Sequence, residues 1–87
     1  MEFDQLKTVI AGILSLDPNE ITEEETFVED LGADSLDLFQ IVMGIEEVFE
    51  IKIPPQEAEK ITKVGEALAL VHQMVEIKEQ AAEHDNL

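Results

Sequence analysis

The chain has 87 residues, 45% of them hydrophobic, with 21 acids set against five lysines for a formal net charge of -16, and it has no arginine and no cysteine. A single domain this short buries only about 60–65% of the surface its unfolded chain exposes, which leaves little room for an enclosed active site. Without a basic footprint, nucleic acid is excluded as a ligand, and without cysteine there is no disulfide framework or thiolate metal site.

The opening "MEFDQLKTVI" lacks the basic start and long apolar run of a secretion signal. No stretch approaches the roughly 20 apolar residues of a membrane span. These features lead us to expect a soluble, cytoplasmic monomer without stable membrane insertion. From Phe3 to Leu16, the residues Phe3, Leu6, Val9, Ile10, Ile13 and Leu14 recur at helical spacing and predict a first amphipathic helix. Pro18 then breaks it. Residues 17–34, "DPNEITEEETFVEDLGAD", make a connection longer than the usual limit of about 12–15 residues for structureless loops. It must be pegged down, and Ile21, Phe27, Val28 and Leu31 are the available apolar anchors. No EF-hand is present: read from Asp17, the positions that need Gly and Glu hold Thr22 and Val28. Weak, diffuse divalent binding at Glu23 to Glu25 and Asp30 is the most this loop offers; no metal site is assigned.

A second helix is expected from Ser35 to about Glu50, with Asp34 as cap and Asp37 three residues on, a variant of the capping box. At about 100° per residue, Leu38, Ile41, Val42, Ile45, Val48 and Phe49 form a core face. Leu36, Phe39 and Met43 fall on the opposite side, bordered by Glu46, Glu47 and Glu50. A helix apolar on two sides and ringed with acid suggests a surface used for binding, unless the 17–34 loop folds over the second stripe. After "IKIPP" a turn or two of helix fits "QEAEKI", with Pro55 in its first turn. A last helix opens at Thr62 or Lys63 and places Val64, Ala67, Leu68, Val71, Met74 and Val75 on one face. The fold class is therefore all-α, a small bundle of three main helices plus one short one. A single domain spans residues 1–80, and 81–87 form a polar tail expected to fray.

Ser35 stands in "LGADSLDLFQ" at the start of the second helix. It is no hydrolase elbow, because the G-x-S-x-G pattern is absent and only carboxylates lie nearby. A relay with His72 or His84 has nothing to recommend it, and no catalytic residue is assigned. With Asp34 taking the cap, the serine hydroxyl projects beside the second stripe. A helix start favours an attached phosphate through its free N–H groups and partial positive charge. Ser35 therefore reads as a modification site. The rival reading is an acidic interaction module that carries no prosthetic group.

The residues "EDLGADSLDLFQIVMGIEEVF", with "IPPQEAEKITKVGEALALV" behind them, resemble the acyl carrier proteins of dissociated fatty acid synthesis. The resemblance runs from Phe3 to about Val75. It implies the same three-plus-one helical bundle and no enzymatic activity. It also implies a 4′-phosphopantetheine arm, derived from coenzyme A and joined to Ser35, on which acyl chains are held as thioesters. The partners implied are a phosphopantetheinyl transferase (holo-ACP synthase), ketosynthases and other fatty acid synthesis enzymes with basic docking patches. The recognition face implied is Asp34, Leu36, Asp37, Phe39, Gln40, Met43, Glu46 and Glu47. Phe39-Gln40 departs from the Val-Glu pair usual in close bacterial carriers, and Leu38 stands where a small polar residue is common. A carrier for a specialised polyketide or lipid pathway is accordingly the alternative.

Overall fold

The computed structural model describes residues 2–85, and side chains for residues 2–80. Four helices follow in order: α1 (Glu2–Leu14), α2 (Ser35–Phe49), α3 (Pro55–Glu59) and α4 (Val64–Asp85). Three long helices and one short one match the bundle expected from periodicity. The expected tail, 81–87, falls partly outside the described residues, the helix backbone being described as far as Asp85.

α1 buries Leu6, Ile10 and Ala11 and ends two residues before the expected Leu16. Its terminator is Ser15, at φ 58, after which the Leu16 N–H donates to the Ala11 carbonyl at 3.0 Å. This left-handed residue closes the helix as a Schellman-type cap, so Pro18 is not what stops it. Pro18 instead opens a single 3₁₀ turn, Pro18–Glu20, capped by the Asp17 carboxylate.

The long connection is anchored, as its length requires. Ile21 and Phe27 are buried and Leu31 is half-buried, but Val28 is 59% exposed and is not an anchor. The stronger restraint is a backbone one that composition does not announce. Thr26 and Lys63 form an isolated antiparallel bridge. Around it, the Phe27 N–H donates to Thr62 O at 3.0 Å, the Val64 N–H to Glu25 O at 3.0 Å, and the Gly65 N–H to Glu23 O at 2.9 Å. The loop thus satisfies the free N–H groups at the start of α4, donors that a helix cannot satisfy internally. Glu66 completes that start, its carboxylate accepting from the Thr62 N–H, the Thr62 hydroxyl and the Lys63 N–H at 2.8–3.0 Å. Thr62 and Lys63 are therefore cap residues, and the helix proper begins at Val64.

α4 buries Val64, Ala67, Leu70 and Val71, while Leu68, Met74 and Val75 are half-buried. Leu70 was absent from the expected face. On α2, Ile41, Ile45 and Phe49 are buried, Leu38 and Val42 half-buried, and Val48, expected in the core, is 45% exposed. Val48 sits at the edge of its arc, where burial is incomplete. Gly44 lets α1 approach α2 closely: a Cβ there would stand 2.9 Å from Val9 Cγ1. Lys78 reaches from α4 to the last carbonyls of α2, donating to Phe49 O at 3.4 Å, where a cation complements the helix dipole. The core is wholly apolar among the described residues, so polar interactions specify the loops and helix ends rather than the interior.

Candidate functional site

The segment before α2 is built to place its first residue. Thr26 and Asp30 exchange hydrogen bonds: Asp30 Oδ2 accepts from the Thr26 N–H at 2.8 Å, and Thr26 Oγ1 accepts from the Asp30 N–H at 3.1 Å. Gly32 then turns the chain at φ +73, and the Ala33 N–H donates to Phe27 O at 2.8 Å. Phe27 and Ala33 are both buried, so the path is fixed on its apolar side as well. Asp34 follows as the α2 cap. Its carboxylate accepts from the Asp37 N–H at 2.8 Å and the Asp37 carboxylate accepts from the Asp34 N–H at 3.2 Å, the reciprocal box expected from the sequence.

With capping done by its neighbours, Ser35 is an exposed first-turn residue. It lies at the mouth of an apolar groove of about 560 Å³ between α2 and the short helix α3. Leu38, Phe39, Val42 and Met43 form the α2 wall, and Ile53, Ala58 and Ile61 are among the residues facing them. Beneath it, Leu38, Val42, Ala58 and Ile61 also line an interior gap of about 30 Å³ that reaches Phe27 and Ile45. The groove therefore leads from Ser35 towards the core.

Leu36, Phe39 and Met43 are 64%, 63% and 53% exposed, so the 17–34 loop does not cover them. They are nevertheless not isolated on an opposite face. Ser35, Phe39 and Glu46 fall on the flank of α2 turned to α3, which stands off far enough to leave the groove. Phe39 and Met43 thus share one apolar surface with Leu38 and Val42. The α3 side of this surface was not singled out in the sequence, although Ala58 and Ile61, three apart in "IPPQEAEKI", carry the signal.

The acidic residues expected on the recognition face have different roles. Asp34 and Asp37 hold the cap. Glu46 is half-buried, its Oε2 accepting from the Ile53 N–H at 2.8 Å. Gln40 and Glu47 are exposed. In the loop, Glu25 accepts from the Thr22 N–H and Asp30 is engaged with Thr26. Among the described residues, no three metal-ligating groups converge. No helix among them is long and apolar enough to cross a membrane. His72 lies on α4, Nδ1 2.9 Å from Glu2 Oε1 and Nε2 3.2 Å from Glu76 Oε1. The Glu2 hydrogen bond and charge, with Glu76 beside them, hold its pKa above the ordinary 6.5.

Comparison with known proteins bears directly on this site. The family described as "Phosphopantetheine attachment site" matches residues 4–71. The chain belongs to the acyl carrier proteins of this phosphopantetheine-attachment family. It is 51% identical over 69 residues to the acyl carrier protein of Wolinella succinogenes, a match covering 79% of this chain and 91% of the relative. It is 45% identical over 74 residues to that of Clostridium perfringens, covering 85% and 97%. The cofactor of an acyl carrier protein of this family is covalent 4′-phosphopantetheine. The site suits such a group: an exposed hydroxyl on a helix start, where a phosphate meets partial positive charge, opens onto an apolar groove.

Proposed function

We propose that Ser35 is the attachment point of the arm, in a single carrier domain over residues 1–80 that delivers acyl chains to enzymes of fatty acid biosynthesis. The observation that carries this reading is the position of Ser35: exposed, relieved of capping by Asp34 and Asp37, and open to the groove. The bound group supplies a thiol that takes an acyl chain as a thioester. Leu38, Val42, Ala58 and Ile61 offer that chain a dry wall leading towards the core, worth about 0.8 kcal/mol for each methylene buried.

Loading forms a bond from Ser35 Oγ to the phosphorus of coenzyme A's phosphopantetheine and breaks the pyrophosphate link, with adenosine 3′,5′-bisphosphate leaving. The serine proton goes to a base on the transferase. Asp34 and Asp37 are committed to each other, and His72 to Glu2 and Glu76. The chain thus presents a substrate hydroxyl and catalyses nothing itself. Partner enzymes, a phosphopantetheinyl transferase and ketosynthases among them, meet the exposed Leu36, Phe39 and Met43 with apolar contacts. Their basic patches face an anionic surface that includes the exposed Glu47. The setting is cytoplasmic.

Incubation with coenzyme A and a broad-specificity transferase should add the mass of one 4′-phosphopantetheine, and Ser35→Ala should add none. A Ser35→Ala protein that still gains the mass moves the attachment point elsewhere. A wild-type protein that gains nothing supports an interaction module without a prosthetic group.

A further inference from the structure

α3 is the least secured element of the bundle. It is five residues long, buries none of them fully, and has no side-chain hydrogen bond at its cap residue Pro54. Pro54 and Pro55 bring no N–H to tether it. Its position therefore depends on the connections that flank it: on the far side Thr62 and Lys63 are held by the bridge to Thr26 and by Glu66, and on the near side the connection converges on Glu46. The Glu46 carbonyl accepts from the Glu50 N–H and from the Ile51 N–H at 3.1 Å, and its carboxylate accepts from the Ile53 N–H at 2.8 Å in a partly buried setting. Ile53 is the last residue before the prolines that can donate, and its own side chain is buried. Glu46 and Ile53 both line the groove.

We propose that Glu46 is a positioning residue: its carboxylate latches Ile53 and so fixes the α3 wall at the spacing that lets the groove hold an acyl chain. The inference rests on the Ser35 arm proposed above and concerns how the groove is kept, not where the arm is joined. A carboxylate used in this way serves by its reach rather than by its charge. A carboxylate that only met basic partners would serve by its charge, and two substitutions separate these roles. Glu46→Asp keeps the charge and withdraws the oxygens by one methylene. Glu46→Gln removes the charge and keeps an acceptor oxygen at the original reach.

Two measurements on these variants test the latch. In the unloaded protein, amide hydrogen exchange at Ile53 should accelerate about fivefold in Glu46→Asp and stay near wild type in Glu46→Gln, the weight of one hydrogen bond. In the loaded protein, hydroxylamine cleavage of the thioester should be slower for a decanoyl than for a butanoyl chain. That protection should drop about fivefold in Glu46→Asp and persist in Glu46→Gln. Failure of loading, seen by mass, would count against the Ser35 reading and leave the exchange result standing. If Glu46→Asp keeps both wild-type exchange and wild-type decanoyl protection, the latch is refuted. Loss of protection in Glu46→Gln alone assigns Glu46 to charge instead and overturns it equally.

Discussion

Asp34, Asp37, Glu46 and Glu47 carry the same charge along one helix, but only Glu47 is left without an intramolecular task. Hydrogen bonding to backbone N–H groups turns the other three into parts of the scaffold, because a helix start and a proline-flanked connection both leave donors that need acceptors. Glu66 works the same way at α4: bonds from the Thr62 backbone and hydroxyl, then from the Lys63 N–H, hold its pKa below the ordinary 4.5. Its contribution is present above 4.5 and is lost as pH falls through the lowered value. His72 runs in the opposite direction. Glu2 on α1 and Glu76 on α4 each face one ring nitrogen, and only the imidazolium donates to both. Its raised pKa means that the stabilisation is complete below 6.5 and is lost as pH climbs through the raised value. The pair is solvent-exposed, so the effect is modest. The thermal midpoint should fall more steeply above pH 6.5 in wild type than in His72→Gln, a comparison that cancels the general repulsion of the other acids. Parallel pH profiles would remove His72 as a staple between α1 and α4.

At the scale of the element, α2 carries the exposed residues of the site beside the buried ones of the core, and charge substitution separates the two. Met43 is 53% exposed and Ile45 1%. Met43→Glu should cost no more than about 0.5 kcal/mol in stability yet sharply reduce transfer to a partner enzyme, where the new charge would be desolvated. Ile45→Glu buries an unpaired charge and should unfold the domain. Melts by circular dichroism and partner turnover read both, and equal loss of stability would make Met43 a core residue. α2 is also where sequence and structure agree best. Its capping box is chemistry between residues three apart, and its core face follows from helical periodicity, so Asp34, Asp37, Ile41 and Ile45 are legible without coordinates. The exposure of Ser35 follows from the same local rules. What escapes is whatever depends on a distant partner. The Thr26–Lys63 bridge joins backbone groups, which every residue has, so no residue type marks it. Val48 reads as core because periodicity gives direction and not coverage. Ser15 adopts a left-handed conformation that usually falls to Gly or Asn, and Pro18 offers a more visible but mistaken stop. The groove is legible mainly on its α2 side, because on the α3 side the only signal is the single pair Ala58 and Ile61, too short a run for periodicity to orient.

For the whole molecule, the governing quantity is a formal charge of -16 on 87 residues, confined within a Cα radius of gyration of 13.2 Å. Twelve acids and no base lie between Lys7 and Lys52, so the loop and α2 carry charge of one sign only. Local pairing does little to relieve it: Lys7–Asp4 and Lys60–Glu57 are i,i+3 surface pairs, of a kind worth about 0–1 kcal/mol. At 0.01 M salt the Debye length is about 30 Å, longer than two of the molecule's three dimensions, 26 and 19 Å, so each acid feels most of the others; at 0.1 M it is about 10 Å and the repulsion becomes local. Unfolding relaxes this repulsion by moving the charges apart, so screening favours the folded state. Added salt should therefore raise the thermal midpoint, and a gain of about 1 kcal/mol would move a domain of this size by roughly 4–8 °C. Long-range screening is matched when Na⁺ and Mg²⁺ are compared at equal ionic strength. Any excess with Mg²⁺ then reports association with neighbouring carboxylates, for which exposed Glu23 and Glu24 are the most available pair. Mg²⁺ should outperform Na⁺, and Glu23→Gln with Glu24→Gln should shrink that excess while leaving the Na⁺ response in place. A midpoint that stays flat from low to high salt would mean that the fold tolerates its charge without penalty, and the anionic surface would then bear on encounter with partners and not on stability.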